Sequence, residues 1–318
     1  MSLYYVAHRL FSAHDRAVAA YVAQRLASRV GEEAVFLPFC DTDEENLTDE
    51  CKGRRLYELD CQRLRRIDGM IALLHGPGLD DGVCMEIGYA AALGVPVIAL
   101  TTDFQTYGLT HDRPTSIFPD PLLDITLTEV VRSHRLAPPP VNASDRFGAF
   151  LHRNIQPVHA AADQAITALL RTRPRATAAH VAATRRLVFI EPSPYVARGL
   201  WFEAARLLSS RGWDTRLATR FQAASATGLS RSARADWAAA QNATLTLIDP
   251  LGPETPPGAA LITGACAATR RPVLAADPGG CWTFADGREP NWRNLMIQYA
   301  IRGRFATNSE LLALVAAL

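Results

Sequence analysis

Residues 80–100 read DDGVCMEIGYAAALGVPVIAL. Small and apolar residues fill a helical stretch from Gly82 to Gly94, and a wholly apolar run, residues 95–100, follows as a strand. One side chain is out of keeping. Glu86 stands between Met85 and Ile87 on the buried first turns of that helix, and a glutamate is almost never fully buried without a partner or a task.

Upstream, the same alternation continues. LYYVA (3–7) reads as a strand and SAHDRAVAAYVAQRLASRVG (12–31) as a helix, opened by the capping pair Ser12 and Asp15 and ended by Gly31. AVFLPF (34–39) is a second strand, residues 40–55 a charged loop, LYELDCQRLRRID (56–68) a helix and GMIALLHG (69–76) a buried strand. Apolar strands alternating with helices predict a parallel sheet covered on both faces, whose ligand site lies beyond the carboxyl ends of the strands. Tyr5, Asp80 and Glu86 are expected there.

The pattern breaks at residues 136–144, LAPPPVNAS, and an Ala-rich segment follows; residues 136–185 read as a linker with helical parts. Beyond it the beginning repeats. RLVFIEPSPYVARGLWFEAARLLSSRGW (186–213) is a strand and helix like the first, and residues 242–277 lie on residues 68–103 with a two-residue difference in the loop. Gly258 and Gly264 then match Gly82 and Gly88, whereas Pro256, Ile262 and Asn242 replace Asp80, Glu86 and Asp68. The expected architecture is two Rossmann-like, flavodoxin-like doubly wound domains, residues 1–135 and 186–318, forming a pseudo-dimer within one chain. The second half has lost the carboxylates of the first.

Composition narrows the classes. A chain of 318 residues with 48% hydrophobic content fills two cores, and its net charge of +1 offers no basic field to a nucleic-acid polymer. The start lacks a signal-peptide pattern, and no apolar run approaches the roughly 18 residues of a membrane span, so a cytoplasmic location and no membrane partner are expected. Cys40, Cys51, Cys61, Cys84, Cys266 and Cys281 form no C-x-x-C pair and no zinc spacing, and read as free thiols. No metal site is expected.

Asp68, Asp80 and Glu86 belong to one βαβ unit and are expected to converge on one crevice. Taken singly, Asp80 and Asp81 are helix caps and Asp68 a loop residue. Together they suit chemistry in which one carboxylate attacks a cationic carbon and another handles a proton, as in glycosidic bond cleavage.

Three segments of the first half resemble the nucleoside 2-deoxyribosyltransferases: YVAHRLF (5–11), RRIDGMIALLHGP (65–77) and, most specifically, the D-x-G-x-x-x-E run of Asp80, Gly82 and Glu86. The resemblance implies that Glu86 is the nucleophile, that Tyr5 holds it, that Asp80 binds a sugar hydroxyl and that Asp68 meets the base and handles its proton. It implies a covalent glycosyl-enzyme, resolved by a second base with retention, in nucleotide salvage and with no cofactor. The family completes its site from a neighbouring subunit through an Asn-Leu-Met segment. The first half has HDRPTSIF (111–118) there, while the second half carries the segment in REPNWRNLMIQYAIRG (288–303), so Asn294 and Met296 are expected to reach the first half's site. By itself that segment is an ordinary amphipathic helix.

Departures fall on the base side. His8 and Arg9 replace small residues of the first loop, and His8 either faces the base or fills the rim. Phe39 and Cys40 stand where relatives have a glutamine, so Phe39 is expected to stack on the base. Phe11 stands where related nucleotide N-hydrolases have arginine, which favours a nucleoside. The partners expected are a nucleoside and a free nucleobase, and a homo-oligomer of the pseudo-dimer is compatible with the pattern. An N-glycoside hydrolase on the same scaffold and a non-catalytic nucleoside-binding protein are the competing readings.

Overall fold

The computed structural model describes residues 2–42, 52–76, 78–109, 115–133, 144–173, 186–195, 198–277, 279 and 290–318. The first half runs β1 (Tyr4–Ala7), α1 (Ala13–Val30), β2 (Val35–Phe36), α2 (Lys52–Leu64), β3 (Gly69–Leu73), α3 (Asp81–Ala92), β4 (Val97–Thr101), a two-stranded pair β5 (Tyr107–Gly108) and β6 (Thr115–Ser116), α4 (Leu122–Thr126), β7 (Glu129–Arg132) and α5 (Arg146–Arg171). The second runs β8 (Leu187–Glu191), α6 (Gly199–Ser209), β9 (Asp214–Leu217), α7 (Ala226–Asn242), β10 (Leu245–Ile248), α8 (Pro257–Ala268), β11 (Val273–Ala276), α9 (Leu295–Ala300), β12 (Gly303–Phe305) and α10 (Asn308–Ala316).

Each half builds a five-stranded sheet with every pairing parallel, in the orders β2-β1-β3-β4-β7 and β9-β8-β10-β11-β12. This is the 2-1-3-4-5 order of flavodoxin-like sheets, with its switch point between the first and third strands. The central strands β3 and β4 are buried along their whole length, as their unbroken apolar sequences require.

The halves meet through α3 and α8. Both helices have twelve residues, with Asp80 and Pro256 at their N-caps, so Gly82, Glu86 and Gly88 correspond to Gly258, Ile262 and Gly264 as the repeat predicts. A methyl group on Gly88 would collide with the carbonyl of Leu261, and one on Gly264 with the carbonyl of Met85. Met85 and Leu261 are themselves equivalent positions. The contact is therefore reciprocal, the mark of a two-fold interface, here enclosed in one chain. Only glycine lets the two backbones cross this closely, and the crossing makes both helices core elements.

Sequence expectation and structure part at four places. Ser12 is the N-cap of α1, but its hydroxyl bonds the Asp15 carboxylate rather than a backbone amide. Strand β2 has two residues because Pro38 lacks an N–H and Phe39 turns the chain at φ +70°, a left-handed conformation rare for a bulky side chain. Helix α2 begins at Lys52, inside the segment expected as loop. The supposed linker, 136–185, contains a 26-residue helix, α5. Ala161, Ala162, Ala165, Ile166, Ala168 and Leu169 pack its C-terminal half on α1 and the first sheet, so that half is an outer layer of the first domain rather than a free tether, while Phe147, Phe150, Leu151 and Ile155 of its N-terminal half are exposed. Residues 134–143 and 174–185 lie outside the described residues.

No described helix is long and apolar enough to cross a membrane. Of the cysteines, Cys61, Cys84 and Cys266 are buried free thiols and Cys40 an exposed one, while Cys51 and Cys281 lie outside the described residues.

Candidate active site

Glu86 lies on the second turn of α3 and is 7% exposed. Tyr5, fully buried in mid-β1, donates its phenolic proton to Glu86 Oε1 at 2.6 Å. A bond between residues 81 positions apart, from the sheet to the helix on its face, is the partner that a buried glutamate demands. Burial first, and then the charge of Asp60, hold the Glu86 carboxyl well above its ordinary range; the Tyr5 hydroxyl opposes them. Burial, Asp60 and Glu86 push the Tyr5 phenol up in turn.

Asp60 was not singled out in the sequence. It sits on α2, is 6% exposed, and is the charged group that both Glu86 and Tyr5 feel most. Asp68 is the correction that follows. It precedes β3, at the strand's amino end, where its Oδ2 accepts the Leu3 amide at 2.9 Å. The five residues of β3, about 16 Å at ~3.3 Å per residue, separate it from the carboxyl edge where α3 begins. Asp68 is a half-buried ladder residue, and the second carboxylate beside Glu86 is Asp60.

Asp80 caps α3, its Oδ1 accepting the Val83 amide at 2.9 Å, and its Oδ2 lies 3.7 Å from Arg9 Nε. The capping expectation thus holds, yet the carboxyl remains at the site. Burial and the neighbouring Asp81 push its pKa up to about 7.

The second half reaches this helix. Asn294, the N-cap of α9, accepts the Met296 amide on Oδ1 at 3.0 Å and faces Gly82, where an added Cβ would fall 2.7 Å from Asn294 Nδ2. Met296 is buried in the shared core. Asn294 therefore touches α3 one turn before Glu86. Its first-half counterpart is Asp120, which accepts the Leu122 amide at 2.9 Å ahead of α4 and reaches Gly258. The first-half counterpart of the Asn-Leu-Met segment is thus at residues 120–126 and not at 111–118, where the sequence set HDRPTSIF in its place; residues 111–114 lie outside the described residues.

A cavity of about 200 Å³ opens where β1 and β3 part, lined by His8, Arg9, Asp15, His75, Gly76 and Asp80 among others. It adjoins the Glu86 site through Asp80 and does not include Glu86 or Tyr5. His8 is buried, contacts the Val6 carbonyl through Nδ1 at 3.3 Å, and is held below the usual imidazole range by burial. Its place is in the cavity wall. His75, not anticipated, is likewise lowered by burial, and its Nδ1 accepts the Thr102 amide at 3.4 Å. Phe11 is 70% exposed, outside the buried cluster. Phe39 lies 5.2 Å beneath the Arg16 guanidinium, so one ring face is already covered.

The corresponding region of the second half is filled. Met70 and Thr246 stand at equivalent places, each beside the first valine of the next strand, so the ladders set Phe189, which has no hydroxyl, at the position of Tyr5. Arg220, fully buried, bonds Asp120 through Nε and Nη2 at 2.9 and 2.8 Å and Glu191 through Nη1 at 2.9 Å, with Asp236 3.6 Å away. A Cβ on Gly258 would strike this guanidinium. An ion cluster thus occupies the start of α8, where α3 of the first half has its buried carboxyl groups.

These observations meet the comparisons with known proteins. Residues 4–119 match the sequence profile of the nucleoside 2-deoxyribosyltransferases. No curated protein sequence matches. Among solved structures, a conserved protein from Enterococcus faecalis V583 is 31% identical over 34% of this chain and 68% of its own length, with a TM-score of 0.30. Through its residues 4–119, the chain belongs to the nucleoside 2-deoxyribosyltransferase family.

Proposed function

We propose that the protein cleaves the N-glycosidic bond of a 2′-deoxynucleoside and transfers the sugar to another base. The single observation that carries this reading is the buried Tyr5–Glu86 hydrogen bond, with Asp60 beside it and Asn294 of the second half one turn away. Glu86 attacks C1′ as the C1′–N bond breaks and the bonding pair leaves with the base, giving a glycosyl ester. Tyr5 donates to Glu86 and so favours its carboxylate form. Asp60, the neighbouring carboxyl group, gives a proton to the departing base and recovers one from the incoming base. Attack of that base on the ester restores Glu86, and two displacements retain the configuration at C1′. Asp80 and Asn294 hold sugar hydroxyls at the start of α3. His8, Phe11 and Phe39 remain base-side candidates, weakened for Phe11 by its exposure.

The test is incubation with each 2′-deoxynucleoside, with and without a second free base, followed by chromatography. A new nucleoside that forms only with acceptor base supports transfer. Free base released at one rate irrespective of acceptor would make the protein a hydrolase.

A further inference from the structure

Glu254 lies in the loop between β10 and α8 of the second half, yet its carboxylate enters the rim of the first half's site. Arg9 Nη2 bonds its Oε1, and the Asp81 amide donates to its Oε2 at 3.2 Å. Arg9 is the one Arg or Lys among the described residues that line the cavity beyond Asp80, and Asp80 approaches its other side at 3.7 Å. Thr255, next along the loop, donates its amide to Asp81 Oδ2 at 3.1 Å and fixes the loop to α3.

An arginine and a free amide at a helix start are the two groups with which proteins hold a phosphate. Here one carboxylate of the protein satisfies both. We propose that Glu254 is a specificity-determining residue that occupies the place of an anionic substituent, so that the site takes the nucleoside with its terminal hydroxyl free and rejects the 5′-phosphorylated form. This rests on the deoxyribosyl-transfer reading, in which Asn294 and Asp80 hold the sugar's hydroxyls, and Asp80 also lines the cavity that Arg9 enters. A phosphate there meets the like charges of Glu254, Asp80 and Asp15 and finds Arg9 already engaged. Repulsion built against a competitor discriminates more sharply than added attraction for the preferred ligand.

The experiment is calorimetric titration of the full-length protein, Glu254→Gln and the double variant Glu254→Gln/Arg9→Met with a 2′-deoxynucleoside, its 5′-monophosphate and inorganic phosphate. Wild type is expected to bind the nucleoside more tightly than the monophosphate. Glu254→Gln should shift the ratio toward the monophosphate by about tenfold or more and gain inorganic-phosphate binding, and removal of Arg9 should abolish both gains. A wild-type preference for the monophosphate, or an unchanged ratio in Glu254→Gln, overturns the proposal. If no nucleoside binds at all, the transfer reading fails, while the inorganic-phosphate comparison still decides what Glu254 does. Glu254→Ala is a second test of the same ratio should the glutamine variant not fold.

Discussion

The starts of α3 and α8 are one backbone with two chemistries. Each is capped just before a glycine that faces the other half, Asn294 against Gly82 and Asp120 against Gly258, and each crosses its partner at a second glycine. Around the first, a phenol, the buried carboxyl groups of Asp60, Asp80, Asp81 and Glu86 and a neutral amide surround the helix start. Around the second, Ile262 replaces the glutamate and Arg220 is clamped by Asp120, Glu191 and Asp236. The two halves share the contacts that hold them together and differ in what surrounds each helix start, a buried tyrosine–glutamate pair in one and a buried ion cluster in the other.

The comparison breaks most visibly at Glu86. Glu86→Gln keeps the shape and removes the nucleophile, and base exchange should fall by on the order of 10⁴-fold or more in a steady-state assay. The ion cluster should answer with stability instead. Arg220→Met strands buried carboxylates and should cost about 3–5 kcal/mol in urea unfolding. Asn294→Ala should lower kcat/KM by roughly 10²-fold with unfolding unchanged within about 1 kcal/mol, because it removes a sugar contact supplied across the interface. Wild-type kinetics in that variant would sink the shared site. Tyr5→Phe leaves the ring and removes the proton donated to Glu86, so exchange should drop by about tenfold and its pH profile move upward.

The smallest effect concerns Asp80. Its folded pKa is raised, mainly by burial, so its share of stability is present below the unfolded carboxyl's pKa and is lost as pH rises through about 7. Thermal stability should therefore fall between about pH 4 and pH 7, and Asp80→Asn should flatten part of that slope.

Much of this architecture was legible because close backbone crossings demand glycine. The six-residue spacing from Gly82 to Gly88, repeated from Gly258 to Gly264, gave the register in which Pro256 and Ile262 replace Asp80 and Glu86, whereas the match of Asn242 to Asp68 was two residues out, since the ladder sets Thr244 there. Glu86 was legible for a complementary reason, as a charge among small apolar neighbours. Asp60 was not, since LYELDCQRLRR alternates charge and apolarity like any solvated helix, and nothing local shows which polar residue turns inward. Asp68 misled because adjacency to a strand does not tell which end faces the ligand. The ion cluster was invisible for lack of any local signal: its four members come from β8, the loop after β9, α7 and the approach to α4. Helix α5 was obscured by its composition, as alanines at helical spacing resemble a tether until a sheet packs against them.

The placement of Asn294 against Gly82 has a consequence for how activity responds to dilution. Where a site is shared by two separate molecules, its population falls with protein concentration as the pair dissociates. Here Asn294 and Gly82 belong to one polypeptide, so the encounter that assembles this interface is unimolecular and its effective concentration is set by the chain. Specific activity should accordingly stay constant over dilutions that would inactivate a pair of separate subunits.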